Sequence, residues 1–181
     1  AVSSRHVSAM ESIPSLRACG QVSPFGDTSG RKMSQNKLNG FLHFVWATFD
    51  RLPLLTEDIE REVYRYIETV CRDDKCEVLA IGGMPDHVHL LVRMSHIVSF
   101  SELMHHVKGG SSRLITQNLK PESYFAWQGS YAVLSASPKD IKKVIRYIQN
   151  QKRHHAEGRL WPEAEQTFER EASIPNKSVS A

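Results

Sequence analysis

The sequence predicts an α+β fold: one antiparallel sheet in the βαββαβ element order of a ferredoxin-like arrangement, followed by one additional helix. Three observations predict it. Short β-branched and aromatic runs recur between segments of helical periodicity. Turn residues separate the runs at short intervals. A strong helix start, Ser137-Pro138-Lys139-Asp140, follows the last of them.

The first run, LHFVWATF over 42–49, reads as a strand that Pro53 terminates. Thr56 then stands as an N-cap with Glu57 and Asp58 in the first turn. The helix that follows extends to about Cys71 and carries Ile59, Val63, Tyr66, Ile67 and Val70 on one stripe. A second strand is expected over 77–81 and a third over 87–94, joined by a tight connection over 82–86. Ser99 or Ser101 caps a second helix with Leu103, Val107, Leu114 and Ile115 facing inward. Gly109-Gly110 in its middle predicts a kink or the approach of a ligand's backbone. Residues 124–136 read as a loop entering a fourth strand. The last helix has a serine cap, proline at the first helical position and an acidic residue three after the cap, and it is expected to run to about His155.

The domain expected from this pattern covers 38–160. Residues 1–37 are rich in Ser and Gly without apolar periodicity and are expected to form a disordered leader, with Met33 a candidate natural start. Residues 161–181 read as a polar tail. A hydrophobic fraction of 40% supports a packed core. The net charge of +3 and pI of about 8.8 permit nucleic-acid binding without establishing it. Three cysteines without close metal-type spacing point to reduced thiols and a cytoplasmic protein. No apolar run approaches the ~20 residues of a membrane-spanning helix, and no secretory signal is visible.

The chemistry concentrates in Gly82-Gly83-Met84-Pro85-Asp86-His87-Val88-His89. Strand side chains alternate faces, so His87 and His89 point one way and Val88 the other. Two imidazoles on one face form half of a metal site. On the last helix, Ile141, Val144, Ile145 and Ile148 make the core stripe, while Tyr147 and Gln151, four residues apart, share a flanking face. There the tyrosine is expected to reach solvent or substrate. The Gln151 amide oxygen is a hard donor suited to Mg²⁺ or Mn²⁺. His105-His106 and His154-His155 are adjacent helical pairs that point about 100° apart, poor chelators, and read as surface residues. Trp46 and Trp127 read as core.

Together these segments resemble the single-tyrosine transposases of the insertion-sequence-200-like (IS200/IS605) group of His-hydrophobic-His (HUH) endonucleases. The resemblance runs from about Leu42 to His155. It rests on HFVWAT, GMPDHVHLLVRM, KGGSSRLI, FAWQGSY and YIQNQKRHH. The long leader departs from the compact members of the group. The resemblance implies that His87, His89 and Gln151 carry a divalent cation, Mg²⁺ or Mn²⁺, and that Tyr147 is the nucleophile. The implied activity is nicking and rejoining of single-stranded DNA at hairpin-marked element ends through a 5′-phosphotyrosine link. The enzyme is thus expected to be an endonuclease and strand transferase. It also implies a homodimer that is nucleoid-associated when bound to DNA, with the tyrosine helix serving its own or its partner's site. Lys108, Arg113, Lys142, Lys143, Arg146, Lys152 and Arg153 are the candidate phosphate contacts.

Rival readings fit less of the pattern. A histidine-triad nucleotide hydrolase needs a third alternating histidine where Leu91 stands, and a two-histidine phosphoesterase needs two separated His-x-Thr/Ser motifs. A domesticated hairpin-binding protein, or a relative acting on chromosomal palindromes, would share the fold.

Overall fold

A computed structural model of the chain describes residues 38–119 and 124–165. The expected leader lies outside these residues, as does the end of the expected tail. Four strands form one antiparallel sheet: β1 Phe41–Ala47, β2 Glu77–Met84, β3 His87–Arg93 and β4 Ala132–Ala136. Their order is β2-β3-β1-β4, with β1 hydrogen-bonded to both β3 and β4. Helices α1 (Glu57–Asp73) and α2 (Phe100–Leu114) connect the strands. Three helices, α3 (Ile141–Gln149), α4 (Gln151–Ala156) and α5 (Pro162–Glu165), follow the last strand. The α+β sheet expected from the sequence is the one observed.

Strand alternation divides the sheet into two faces. Phe44 and Trp46 of β1 and Val88, Leu90 and Val92 of β3 belong to one core with Ile59, Val63 and Ile67 of α1 and Leu103 and Val107 of α2. Full burial of each aliphatic chain contributes roughly 1.5–3 kcal/mol. Trp46 is buried as expected and meets Trp127 edge to face at 5.9 Å. The opposite face packs Ala80 and Leu91 against Val144 and Ile148 of α3. This second face carries His87 and His89, so the alternation that buries Val88 in the main core turns both imidazoles toward the C-terminal helices.

Several local features differ from the sequence expectation. The connection expected over 82–86 is shorter. Gly82, Gly83 and Met84 remain in β2, paired with His89, Val88 and His87, so the turn is Pro85-Asp86 alone. Gly82 allows close approach rather than flexibility. A Cβ there would lie 2.5 Å from the Ile148 carbonyl oxygen, so α3 sits directly on the β2 backbone. β1 ends at Ala47, and a 3-10 turn over Phe49–Arg51 follows with Asp50 and Arg51 at positive φ. Thr56 stands at the α1 N-cap, but its side chain makes no capping hydrogen bond.

In α2 the cap is Ser99, in a complete capping box with Glu102. Gly109-Gly110 produces no break. The helix runs on to Leu114, and Gly110 makes room for the Tyr66 ring of α1. The last helix is the largest departure. It begins at Ile141, after a turn over 138–140, and is interrupted at Asn150 (φ −109°, ψ 22°). The Asn150 amide donates to the Arg146 carbonyl at 2.7 Å, a local bond of the kind that competes with the helical ladder.

Candidate active site

His87 and His89 are both fully buried, with ring centroids 4.9 Å apart. Neighbours fix the orientation of each. The His87 Nδ1 lies 2.8 Å from Asp86 Oδ1, and Asp86 in turn pairs with Arg51 at 3.1 Å. The His89 Nδ1 lies 3.0 Å from Nε2 of His43. In each case Nδ1 is engaged and Nε2 faces the interior of the site, the arrangement seen when a second partner orients a metal-ligating imidazole. Arg51 reaches Asp86 from the left-handed turn after β1 and donates through Nη2 to the Glu165 backbone oxygen at 3.2 Å.

Tyr147 and Gln151 converge on the same place although they lie on either side of the helix break. The Tyr147 ring meets His89 edge to face at 6.0 Å. Gln151 is 2% exposed, and its Oε1 is buried without a hydrogen-bond partner. Of the two alternatives expected for Tyr147, solvent or substrate, the first is corrected: it is 7% exposed. It is covered because the segment expected to be tail folds back. Trp161 packs edge to face on its ring at 5.7 Å, and the Trp161 N–H donates to its oxygen at 3.1 Å. The Tyr147 hydroxyl donates to Glu165 Oε1. Ala164 is buried in the same contact.

Glu165 lies at the centre of this cluster. Its Oε2 is 3.2 Å from His87 Nε2 and 3.4 Å from His155 Nε2, and its Oε1 is 3.6 Å from His89 Nε2. None of the three imidazole nitrogens has the geometry of a directional hydrogen bond to it. His155, expected at the surface, is half-buried, with its ring 5.1 Å from that of His87. Among the described residues, His87, His155 and Glu165 bring donor atoms within 4.8 Å of one another, a group able to hold a metal ion. Imidazole Nε2 atoms without hydrogen-bond partners, an orphaned amide oxygen and a carboxylate fit a divalent cation.

The electrostatics follow from burial and from Glu165. Burial pushes the His43 pKa down to about 4, and burial with the neighbouring imidazoles holds His89 well below its ordinary value. Burial also opposes the charged form of His87, but the bond to Asp86 and the nearby Glu165 carboxylate outweigh this and raise it. Glu165 is held low despite burial by His87, Tyr147 and His89. Burial and the bond to Glu165 raise Tyr147, so it is a phenol at neutral pH.

His43, Asp86, Arg51, His155 and Glu165 were not among the residues the sequence singled out for the site. His43 is two residues from Val45, which pairs with His89, so period-two alternation places it on the histidine face. His155 is one helical turn beyond Gln151. Nothing local marks Glu165.

The candidate phosphate contacts divide. The Lys108 ammonium donates to the carbonyls of Gln128, Gly129 and Ser130 at 2.7–3.0 Å, so it is committed inside the protein. Arg113 donates to Gln117 at 3.0 Å, and Lys152 pairs with Glu60 at 2.9 Å. Lys143 lies over the Trp161 ring at 5.0 Å. Lys142, Lys143, Arg146, Lys152 and Arg153 are exposed along α3 and α4.

Comparison with known proteins gives the family and the fold. The ISDra2 transposase TnpA of Deinococcus radiodurans is 25% identical over 114 residues, covering 60% of this chain and 81% of the relative. A crystal structure from Deinococcus radiodurans, of a protein assigned as a transposase, superposes with a TM-score of 0.51. It is 25% identical and covers 67% of this chain and 98% of that one. A REP-associated tyrosine transposase bound to a REP hairpin shares the fold, with a TM-score of 0.52 at 18% identity over 74% of this chain and 80% of that one. The family model described as "Transposase IS200 like" matches residues 36–151, and the chain belongs to that family.

Proposed function

We propose that this transposase nicks and rejoins single-stranded DNA at hairpin-marked ends through a 5′-phosphotyrosine intermediate formed on Tyr147, assisted by Mg²⁺ or Mn²⁺ at His87, His89 and Gln151. The observation that carries this reading is the convergence of Tyr147 with the buried His87 Nε2 and His89 Nε2, neither with a hydrogen-bond partner, around one carboxylate to which the buried Gln151 also donates. A divalent cation bound there supplies charge stabilisation at a non-bridging phosphate oxygen.

The remaining work belongs to the chain. Attack by the Tyr147 oxygen forms a new P–O bond and breaks the bond to the 3′ oxygen, which leaves as a hydroxyl. The covalent link conserves the phosphodiester energy, so a 3′-hydroxyl can reverse the step and join strands. Asp86 and His43 contact the Nδ1 atoms of the two imidazoles and hold the rings in the orientation that turns Nε2 inward. Tyr147 must lose its proton, and its hydroxyl already faces a carboxylate. Lys142, Lys143, Arg146 and Arg153, exposed on the helices that carry Tyr147 and Gln151, are the proposed phosphate contacts.

The hairpin as partner is supported by the hairpin-bound relative that shares the fold. We assign the working domain to residues 38–165, five residues beyond the boundary expected at 160, because Trp161, Ala164 and Glu165 pack on the site. A homodimer is the assembly the family resemblance implies. Within one chain Tyr147 already lies against its own histidines, so the residues of the site come together without a second copy. Among the described residues no helix is long and apolar enough to cross a membrane.

The test is an incubation of the full chain with Mn²⁺ or Mg²⁺ and labelled single-stranded hairpins from the DNA flanking its gene, resolved on a denaturing gel. The wild type should give a covalent adduct and Tyr147→Phe none. Absence of any adduct with the wild type refutes the reading.

A further inference from the structure

We propose that Glu165 is a ligand of the divalent cation held by His87 and His89, with His155 as an adjacent nitrogen donor, and that the other carboxylate oxygen holds the Tyr147 hydroxyl beside that ion. The inference rests on the metal reading given above and extends it to two residues that lie past the matched span of 36–151.

The geometry divides the carboxylate into two functions. Oε2 points between the imidazoles of His87 and His155, at 3.2 and 3.4 Å from their Nε2 atoms. Oε1 receives the Tyr147 hydroxyl and the Gln151 amide N–H, the latter at 3.4 Å, and lies 3.6 Å from His89 Nε2. Metal–ligand bonds of ~2.1 Å place neighbouring ligands about 3.0 Å apart at right angles and about 3.4 Å apart at tetrahedral angles. The observed separations fall in and just beyond that range. They are also poorly directed for hydrogen bonds, as expected when lone pairs aim at a common point rather than at one another. A carboxylate surrounded by three imidazoles whose other ring nitrogens are largely engaged elsewhere matches a ligand set better than a surface ion pair does.

The scaffold holds Glu165 in that position. Its own backbone oxygen accepts from Arg51, which also pairs with Asp86, the residue that orients His87. The neighbouring Ala164 is buried, and the Trp161 ring and N–H both contact Tyr147. One short helix therefore ties the cation, the histidine that Asp86 orients and the tyrosine into one unit. A carboxylate also gives the set a negative charge that two histidines and a glutamine lack, which favours a hard divalent ion.

The experiment is calorimetric titration of the metal-free full chain with MnCl₂, paired with the rise in Tm that Mn²⁺ produces. Glu165→Gln, which keeps shape and loses charge, should weaken Mn²⁺ binding by about tenfold or more and remove most of the Tm rise. Glu165→Asp should bind more tightly than Glu165→Gln, and His155→Ala should weaken binding in the same direction as Glu165→Gln. A Glu165→Gln protein that binds Mn²⁺ within that factor of the wild type overturns the proposal. So does tighter binding, the result expected if the carboxylate merely plugs the site. If Glu165→Gln does not fold, Glu165→Asp decides: affinity equal to the wild type together with unchanged binding by His155→Ala overturns the proposal. His89→Ala keeps the two readings apart, because unchanged Mn²⁺ binding in that variant refutes the histidine site itself, whatever Glu165 does.

Discussion

Replacing Gly82 with alanine should damage the site without touching any residue in it. Gly82 pairs with His89 in the sheet and supports α3 from below, with its missing Cβ directed at the Ile148 carbonyl oxygen. The added methyl would lie 2.5 Å from that oxygen and 3.3 Å from the Ile148 carbonyl carbon. An ordinary carbon–oxygen contact is about 3.4 Å, so helix and strand must separate by roughly 0.9 Å, and overpacking of this kind costs about 1–3 kcal/mol. For a domain of this size that lowers Tm by roughly 3–9 °C. Ile148 adjoins Tyr147 in α3, so the same displacement moves the tyrosine relative to His89. A misplacement of about 1 Å is worth on the order of 10²-fold in rate. Differential scanning fluorimetry and single-turnover adduct formation on a hairpin substrate measure the two effects. A Gly82→Ala protein with wild-type Tm and wild-type adduct rate would refute the claim that close α3–β2 contact positions the nucleophile.

Other expectations follow from individual side chains. His87→Ala and His89→Ala should lose cleavage while retaining hairpin affinity in a gel-shift assay; loss of binding in both would give the histidines a DNA-binding role instead. Lys108→Met keeps the methylene stem but withdraws three hydrogen bonds from the loop over 128–130, so it should cost about 1–3 kcal/mol of stability with little change in DNA affinity. Weaker DNA binding at unchanged Tm would restore the phosphate-contact role expected from the sequence. Metal-free protein should lose stability as pH falls from about 6.5 to about 4. Burial depresses His43 to about 4, so the unfolded chain binds more protons in that window and stability rises with pH by up to about 3 kcal/mol. His87 runs the other way: its raised pKa stabilises the fold at low pH, and that contribution is lost as pH rises through it. His43→Asn should therefore flatten the acid side of the Tm–pH curve, and an unchanged slope would contradict the burial argument.

What the sequence made legible was local and periodic. Alternation in β3 predicted both the buried Val88 and the paired histidines, and of the two candidate caps, Ser99 and Ser101, the structure takes Ser99, in a full capping box with Glu102. The four-residue spacing of Tyr147 and Gln151 predicted a shared face; in the structure Tyr147 meets His89, and Gln151 donates to the Glu165 carboxylate that Tyr147 also contacts. That spacing did not reveal the break at Asn150, because a side-chain bond to Arg146 competes with a helix whose propensities otherwise continue. Pro85-Asp86 alone turns the hairpin because Gly82 and Gly83 serve close packing, Gly82 against a helix some 65 residues away in the chain and Gly83 against the His87–Val88 backbone of β3. Glu165 was invisible for the same kind of reason. It sits in a polar segment without apolar periodicity, and only tertiary folding brings it to His87, His89 and Tyr147. His155 looked superficial beside His154 because adjacency was weighed, whereas its position one turn beyond Gln151 was the relevant spacing. Lys108 read as a phosphate contact from its charge, but charge alone does not distinguish an ammonium facing solvent from one satisfied by three carbonyls.

The most direct measurement of the central claim is peptide mapping of the covalent product. Wild-type protein is reacted with a single-stranded hairpin in Mn²⁺, digested with protease and nuclease, and sequenced by mass spectrometry. The predicted result is a nucleotide joined through its 5′ phosphate to Tyr147, with the other DNA fragment ending in a free 3′-hydroxyl. A phosphodiester link on any other residue, or cleavage that leaves a free 5′ phosphate and unmodified Tyr147, would contradict it.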